Sequence, residues 1–373
     1  MNLSATIDTL ISRLGTFEPN STETPAFIGL DGYIDKIQKV VQAQDGESRS
    51  YYPTIDAFAG RIERAAGLSA QLELVTQEMK LGGNAPIMAH ALASLGIANY
   101  CLGNFGAPEI HPLFEQIHPQ SKLISLGLPA ETNALEFDDG KLILSEVTPF
   151  QPIDWDYVKE TVGLPNLVQY CNSAKFIALV DWCNLPLATD IWRGMGQELL
   201  PQLEASARHF FFDLADPTKK SQAAIEEVLE VIGSFGPYGT VTLGLNENEA
   251  RRLATAIEWQ TGKTTGTELT DVCSFIYEHT NLTNLLVHPL NRSIIVSPQG
   301  IQVIPGRLVT KPRISTGGGD NLNAGFCFGQ LAGYSLETSA LLGMATSGAY
   351  VQNGKSPSGS ELISYLKNWK TDL

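Results

Sequence analysis

Short runs rich in β-branched and aromatic residues recur along the chain, separated by stretches whose apolar positions return every three to four residues. The runs at 26–30, 97–102, 175–181, 209–214, 240–245 and 284–288 read as strands. The stretches at 86–95, 221–232, 247–259 and 269–280 read as helices, and a helical series continues from Asn321 onward. Such alternation predicts βαβ units and hence an α/β sandwich around a mostly parallel sheet. Right-handed crossovers then gather the loops that follow the strands at one edge, where folds of this kind bind ligands. Two regions break the rhythm. Between 38 and 80 a helix at 55–66 precedes an alternating run at 72–81, and the runs 133–137 and 141–145 flank Asp138-Asp139-Gly140, a hairpin signal. A later hairpin, 293–296 with 301–304 across Pro298-Gln299-Gly300, is expected to extend the main sheet.

Composition narrows the class. Hydrophobic residues make up 43% of the 373 and are dispersed, with no run long enough for a membrane span. Length alone leaves open either one large domain with a small appendage or two domains. The N-terminus, Met1 to Asn20, lacks the basic start and apolar core of a secretion signal, so a cytoplasmic protein is expected. Five cysteines (Cys101, Cys171, Cys183, Cys273 and Cys327) are an odd number without C-x-x-C spacing, which argues against a disulfide framework or a structural zinc. The net charge of −15 disfavours nucleic acid as a partner. It leaves a nucleotide open, because a local cluster of amides can hold a phosphate inside an acidic protein.

The densest chemical signal is Ser315-Thr316-Gly317-Gly318-Gly319-Asp320-Asn321-Leu322-Asn323-Ala324-Gly325-Phe326, which opens a helix with three glycines and an aspartate. Without side chains in the way, glycine amides converge on an anion, and a helix N-terminus adds about half a positive charge. Asp320 beside such a cradle can take the proton of an attacking hydroxyl. A glycine-rich turn with an aspartate cap would have the same local sequence.

The neighbours decide between the two. Thr316-Gly317-Gly318-Gly319-Asp320, with Ala324-Gly325-Phe326 behind it, resembles the C-terminal signature of the ribokinase-like (PfkB) carbohydrate kinases. Upstream, in the family's order, Gly82-Gly83-Asn84-Ala85 leading to Leu95-Gly96 is similar to the N-terminal glycine element, and Asn246-Glu247-Asn248-Glu249 matches its N-x-x-E motif. The resemblance covers nearly the whole chain, about residues 26 to 365. It implies a three-layer α/β/α sandwich in one domain over 1–373, with a small β lid drawn from about 38–81 and 131–148. The lid excludes water, so that the phosphoryl group is transferred rather than hydrolysed.

The implied reaction moves a phosphoryl group from a nucleotide to a hydroxyl of a sugar or related small molecule. ATP is the default donor and ADP the variant. Asp320 is then the base, and Gly317, Gly318 and Gly319 form the anion hole. Asn246, Glu249, Thr316 and His288 lie toward the nucleotide, with Glu249 holding Mg2+ through water. Asp31, Asp35, Gly82, Gly83 and Asn84 hold the acceptor. The structural alternatives are a capping box for Asn246 and Glu249 and a turn at Asp31-Gly32. Asp213 or Lys219 could also reach the phosphates, although a strand end and turn explain them as well.

Some positions depart from the family. Asp35 lies one residue farther from Gly29 than in most ATP-using members, a spacing similar to the ADP-dependent branch, and His288 at its strand end resembles that branch too. Ile87 replaces the asparagine of the glycine element, and Ile314 stands where most members have an aspartate. His288 could equally be a half-buried structural residue, and the altered strand there together with the missing asparagine at Ile87 would suit the rival reading, a non-catalytic sugar or nucleotide sensor on the same fold. Thr261-Gly262-Lys263-Thr264 echoes a P-loop, but Ile257 stands at the first glycine position, and a helix C-cap is expected there. An exposed lid sheet is compatible with a homodimer.

Overall fold

A computed structural model of the chain describes residues 2–18, 25–314 and 316–373; Ser315, at the head of the glycine-rich motif, lies outside them. The strands are β1 (Ala26–Gly29), β2 (Tyr33–Asp45), β3 (Ser48–Tyr51), β4 (Leu74–Gly82), β5 (Asn99–Gly103), β6 (Ser121–Ser125), β7 (Ala130–Phe137), β8 (Gly140–Glu146), β9 (Phe176–Leu179), β10 (Arg208–Asp213), β11 (Gly239–Leu245), β12 (Asn284–Val287), β13 (Arg292–Ser297) and β14 (Gly300–Pro305). The helices are α1 (Leu3–Gly15), α2 (Ile55–Glu63), α3 (Asn84–Ser94), α4 (Trp155–Val162), α5 (Leu164–Asn172), α6 (Ala188–Gly194), α7 (Gln222–Gly233), α8 (Glu247–Thr261), α9 (Leu269–Glu278), α10 (Gly318–Leu331), α11 (Leu336–Asn353) and α12 (Gly359–Thr371). Among the described residues no helix is long and apolar enough to cross a membrane.

The large sheet runs β14-β13-β12-β11-β10-β9-β1-β5-β6 and is parallel except for the β12–β13 and β13–β14 pairs. Its central strands are buried on both faces, so their side chains divide by parity between two cores. Phe27 of β1 with Phe210 and Phe212 of β10 joins the core under α4–α9. Ala26, Ile28 and Phe211 join the core under α1, α3 and α10–α12. This is the expected three-layer sandwich. The six strands read from periodicity all form, each end within two residues of its expected place. The late hairpin joins the large sheet, Gly262 closes α8 in the left-handed conformation, and all five cysteines are free and buried.

The small sheet is β3-β2-β7-β8, with β4 paired to β2. It covers the hairpin and the alternating run expected for the lid, but its longest strand, β2, falls where no strand was expected and brings the start forward to Tyr33. Its outer end, Gln42 to Asp45, is exposed on both faces. The sheet has a core of its own: Val40, Tyr52, Phe58 and Leu135, with Phe58 stacked on Phe137 at 5.6 Å.

Helix α10 carries the glycine-rich motif into the middle of its layer and is buried on almost every side. It meets α11 closely at Gly325, where a Cβ would stand 2.4 Å from Thr346 Oγ1 and 2.9 Å from Gly343 Cα. Overpacking of this kind costs about 1–3 kcal/mol. Gly325→Ala is therefore expected to lower the unfolding free energy by about that amount in urea titration. A change under about 0.5 kcal/mol would show that the helices part freely.

Candidate active site

The site lies at the C-terminal edge of the parallel strands. Directly beyond β1, Asp31 is fully buried, and both its oxygens are engaged: Oδ2 accepts the amide of Asn84 and Oδ1 that of Ala85, each at 2.7 Å. These are first-turn amides of α3, whose own N-cap, Gly83, has no side chain to offer. Asp31 thus caps α3 from across the fold and is not among the residues lining the cavity beneath the small sheet described below. The two glycines before α3 admit two carboxylates. A Cβ on Gly83 would stand 2.7 Å from Asp31 Oδ2, and one on Gly82 would fall 2.4 Å from the Asp35 carboxyl carbon.

Asp35, on β2, faces a cavity of about 180 Å³ that Tyr33, Asn84, Asp181, Thr316 and Asp320 also line. Burial pushes its carboxyl upward, while Lys80, Thr132 and Lys141 pull against that shift. Asp181, just past β9, is fully buried at φ +59°, a left-handed conformation uncommon for a residue with a side chain. It accepts the Tyr33 hydroxyl at 3.0 Å and Asn184 Nδ2 at 2.5 Å, and Lys219 holds Asn184 Oδ1 at 2.6 Å.

At the head of α10, Gly317 is left-handed at φ +87°, and the amides of Gly318, Gly319 and Asp320 occupy the first turn, where helices have no internal acceptor. The Asp320 carboxyl is driven well above its ordinary value by burial, then by Asp213, Asp31, Asp181 and Glu249. The loop ahead of it is fastened from both sides. Tyr350 of α11 donates to the Thr316 carbonyl at 2.8 Å, and Lys141 of the lid donates to the Thr316 hydroxyl. Thr316, expected on the nucleotide side, lines the cavity beneath the lid.

The remaining expected residues stand apart from that cavity. Asn246 and Glu249 form a complete capping box at the start of α8: Asn246 Oδ1 accepts the Glu249 amide at 2.9 Å, and Glu249 Oε2 accepts the Asn246 amide at 2.9 Å. Burial and Asp213 push the Glu249 carboxyl to about 8. Asp213, at the end of β10, accepts from the Ala215 amide at 2.8 Å and Asn323 Nδ2 at 2.9 Å; the buried Oδ1 of Asn323 has no partner. His288 follows β12, its pKa lowered to about 4 by burial, with Cε1 3.6 Å from where a Gly319 Cβ would stand. The sequence reading missed Tyr33, Asp181, Asn184 and Tyr350. Only Asp181 carried a signal, a carboxylate directly after a buried apolar strand.

Solved structures share this architecture along nearly its whole length. A probable sugar kinase from Rhizobium etli CFN 42 superposes with a TM-score of 0.65 at 17% identity, covering 93% of this chain and 98% of its own. Ribokinase from Thermotoga maritima gives 0.62 at 15%, over 93% and 100%. Ribokinase from Arabidopsis thaliana, complexed with ribose and ATP, gives 0.62 at 14%, over 92% and 99%. The fold is therefore that of the ribokinase-like kinases. Sequence comparison narrows it further: the family model described as prokaryotic ketohexokinase matches residues 15–369. A ketohexokinase from Haloferax volcanii is 26% identical over 347 residues, 91% of this chain and 90% of its own. The chain belongs to the prokaryotic ketohexokinase family and is a carbohydrate kinase.

The raised carboxyls make stability depend on pH. In the native protein Glu249 keeps its proton to about pH 8, whereas in the unfolded chain it loses it near its ordinary value of 4.5. Between those limits the native state binds more protons, so stability falls as pH rises. Wild type should lose stability relative to Glu249→Gln from pH 5 to 8, at no more than about 1.4 kcal/mol per pH unit. Urea titrations of both proteins across that range test this. Parallel curves would mean that the carboxyl ionises normally.

Proposed function

We propose that this sugar kinase transfers the terminal phosphoryl group of a nucleotide, ATP by default and ADP as the variant, to a hydroxyl of a ketohexose. The observation that carries the reading is the meeting of Asp320, Asp35 and Asp181 at one cavity with the Gly317–Gly319 helix start. Asp35 accepts hydrogen bonds from sugar hydroxyls, with Asp181 holding Tyr33 and Asn184 in place at the wall of the cavity, which aims one hydroxyl at Asp320. That proton passes to the Asp320 carboxylate as the oxygen bonds to the terminal phosphorus. The bond from that phosphorus to the leaving phosphate breaks, and the nucleotide departs one phosphate shorter. Amides of the first turn of α10 face the charge that develops on the transferred group.

The acceptor sugar is supported by the names of the family and of the Haloferax relative, and the donor by the ATP in the Arabidopsis ribokinase structure. Magnesium fits the donor side. Glu249, Asp213 and the unpartnered Asn323 Oδ1 offer the all-oxygen set a hard cation prefers, and these residues would hold it directly or through water. When bound, it offsets the charge of the phosphates. The protein's own part is to keep Asp213 and Glu249 oriented through Asn323 and the capping box.

Asp320→Asn is expected to lower kcat by about 10²–10⁴ while sugar and nucleotide still bind, because an amide cannot take the proton. Turnover near the wild-type value would remove the base assignment. Asp35→Ala should weaken sugar binding by about 1.5–3 kcal/mol and leave nucleotide affinity unchanged, as read by separate calorimetric titrations. Unchanged sugar affinity would place the acceptor contact elsewhere.

A further inference from the structure

A second cavity, about 480 Å³, opens beside the acceptor cavity and shares Asp35, Ile87 and Thr316 with it. Its charge sets it apart. In a chain of net charge −15, it gathers Lys80 from β4, Arg313 from the segment ahead of α10 and Lys355 from the loop between α11 and α12, against Asp35 and Glu78. Lys80 makes no hydrogen bond or close ion pair among the described residues, although its charge acts on Asp35 across the strand pair. Arg313 donates through one guanidinium nitrogen to the Asn353 carbonyl at 3.3 Å, which leaves most of its five N–H groups free. Lys355 pairs with Glu361 at 2.7 Å and contributes less. His90 adds a neutral donor: its Nδ1 accepts the His118 amide at 3.1 Å, so the ring proton sits on Nε2. Cations and donors therefore converge on a space within the size range of small-molecule sites, and the protein supplies them with few acceptors.

We propose that this cleft binds a phosphate or carboxylate carried by a small molecule, with Lys80 and Arg313 as its main contacts. The anion belongs either to the acceptor itself, reaching out of the neighbouring cavity, or to a separate anionic effector. The inference rests on the lining of the cleft and not on the role given to Asp320.

The test is calorimetric titration of the full chain, at low ionic strength, with inorganic phosphate and with fructose 6-phosphate. Both should bind wild type, and both should bind about tenfold or more weakly to Lys80→Met and to Arg313→Met, the loss of one hydrogen-bonded charge. Lys80→Arg, which keeps the charge, should restore binding. If Arg313→Met fails to fold, the Lys80 pair of variants decides alone, and if Lys80→Met also fails, Lys355→Met replaces it with a smaller expected loss of about threefold. Fructose displacing the ester but not inorganic phosphate assigns the anion to an acceptor, whereas fructose binding alongside the ester assigns it to an effector. Either result supports the cleft. No binding by wild type up to about 10 mM ligand, or equal binding by the variants, overturns it, the latter because phosphate held only by the Gly317–Gly319 amides is indifferent to Lys80.

Discussion

One buried carboxylate holds the two sheets in register. Asp31 stands where the chain leaves the large sheet for the small one, and the amides it grips stand where the chain returns, at the start of α3. Taking a carboxylate out of water is costly, and two amide donors at short range are what make it tolerable. The geometry leaves no room for variation, since Gly82 and Gly83 present bare backbone to Asp35 and Asp31. The floor of the cavity under the small sheet is therefore fixed by the same contacts that join lid to core. Asp35 is positioned twice over, by its strand and by the glycine beneath it.

The fold was legible because the central strands are short, buried on both faces and bounded by turn residues, as in Phe210-Phe211-Phe212 before Asp213. Strand β2 was not, because Lys36, Gln38 and Lys39 interrupt its apolar residues and its partners β4 and β7 lie far along the chain. The glycine motif and Asp320 could be read locally, since a helix start is a local structure. Asp31 could not. Whether a carboxylate after a strand also caps a helix depends on residues more than fifty positions away, and only the folded chain shows that its oxygens meet the α3 amides. Asp181 carried a signal of its own as a carboxylate after a strand, but its partners Tyr33 and Asn184 converge on it only after folding.

The carboxylates at this edge of the sheet raise one another. Burial raises each of them most; beyond that Asp213 lifts Asp31, Asp181 and Glu249, and all four lift Asp320. An acidic hollow of this kind repels a bare polyphosphate, and it favours one that arrives with its charge compensated. The orphan oxygen of Asn323 lies in the same hollow, a buried acceptor that the protein itself does not satisfy. The two faces of the site thus differ in composition: carboxylates at the ends of the large-sheet strands, lysines and an arginine where the lid meets the core.

The aromatic cluster inside the small sheet has an implication for how the protein breathes. With Tyr52, Phe58 and Phe137 packed among themselves, the sheet keeps much of its buried area when it lifts away from the large one. It can open as a cooperative unit, at a free energy well below that of global unfolding. Little backbone order is lost in the motion, so little must be regained on closing. Amide exchange would see this as two populations: slow protons in β9 to β11 that report the whole molecule, and a faster, mutually correlated set in β2, β7 and β8.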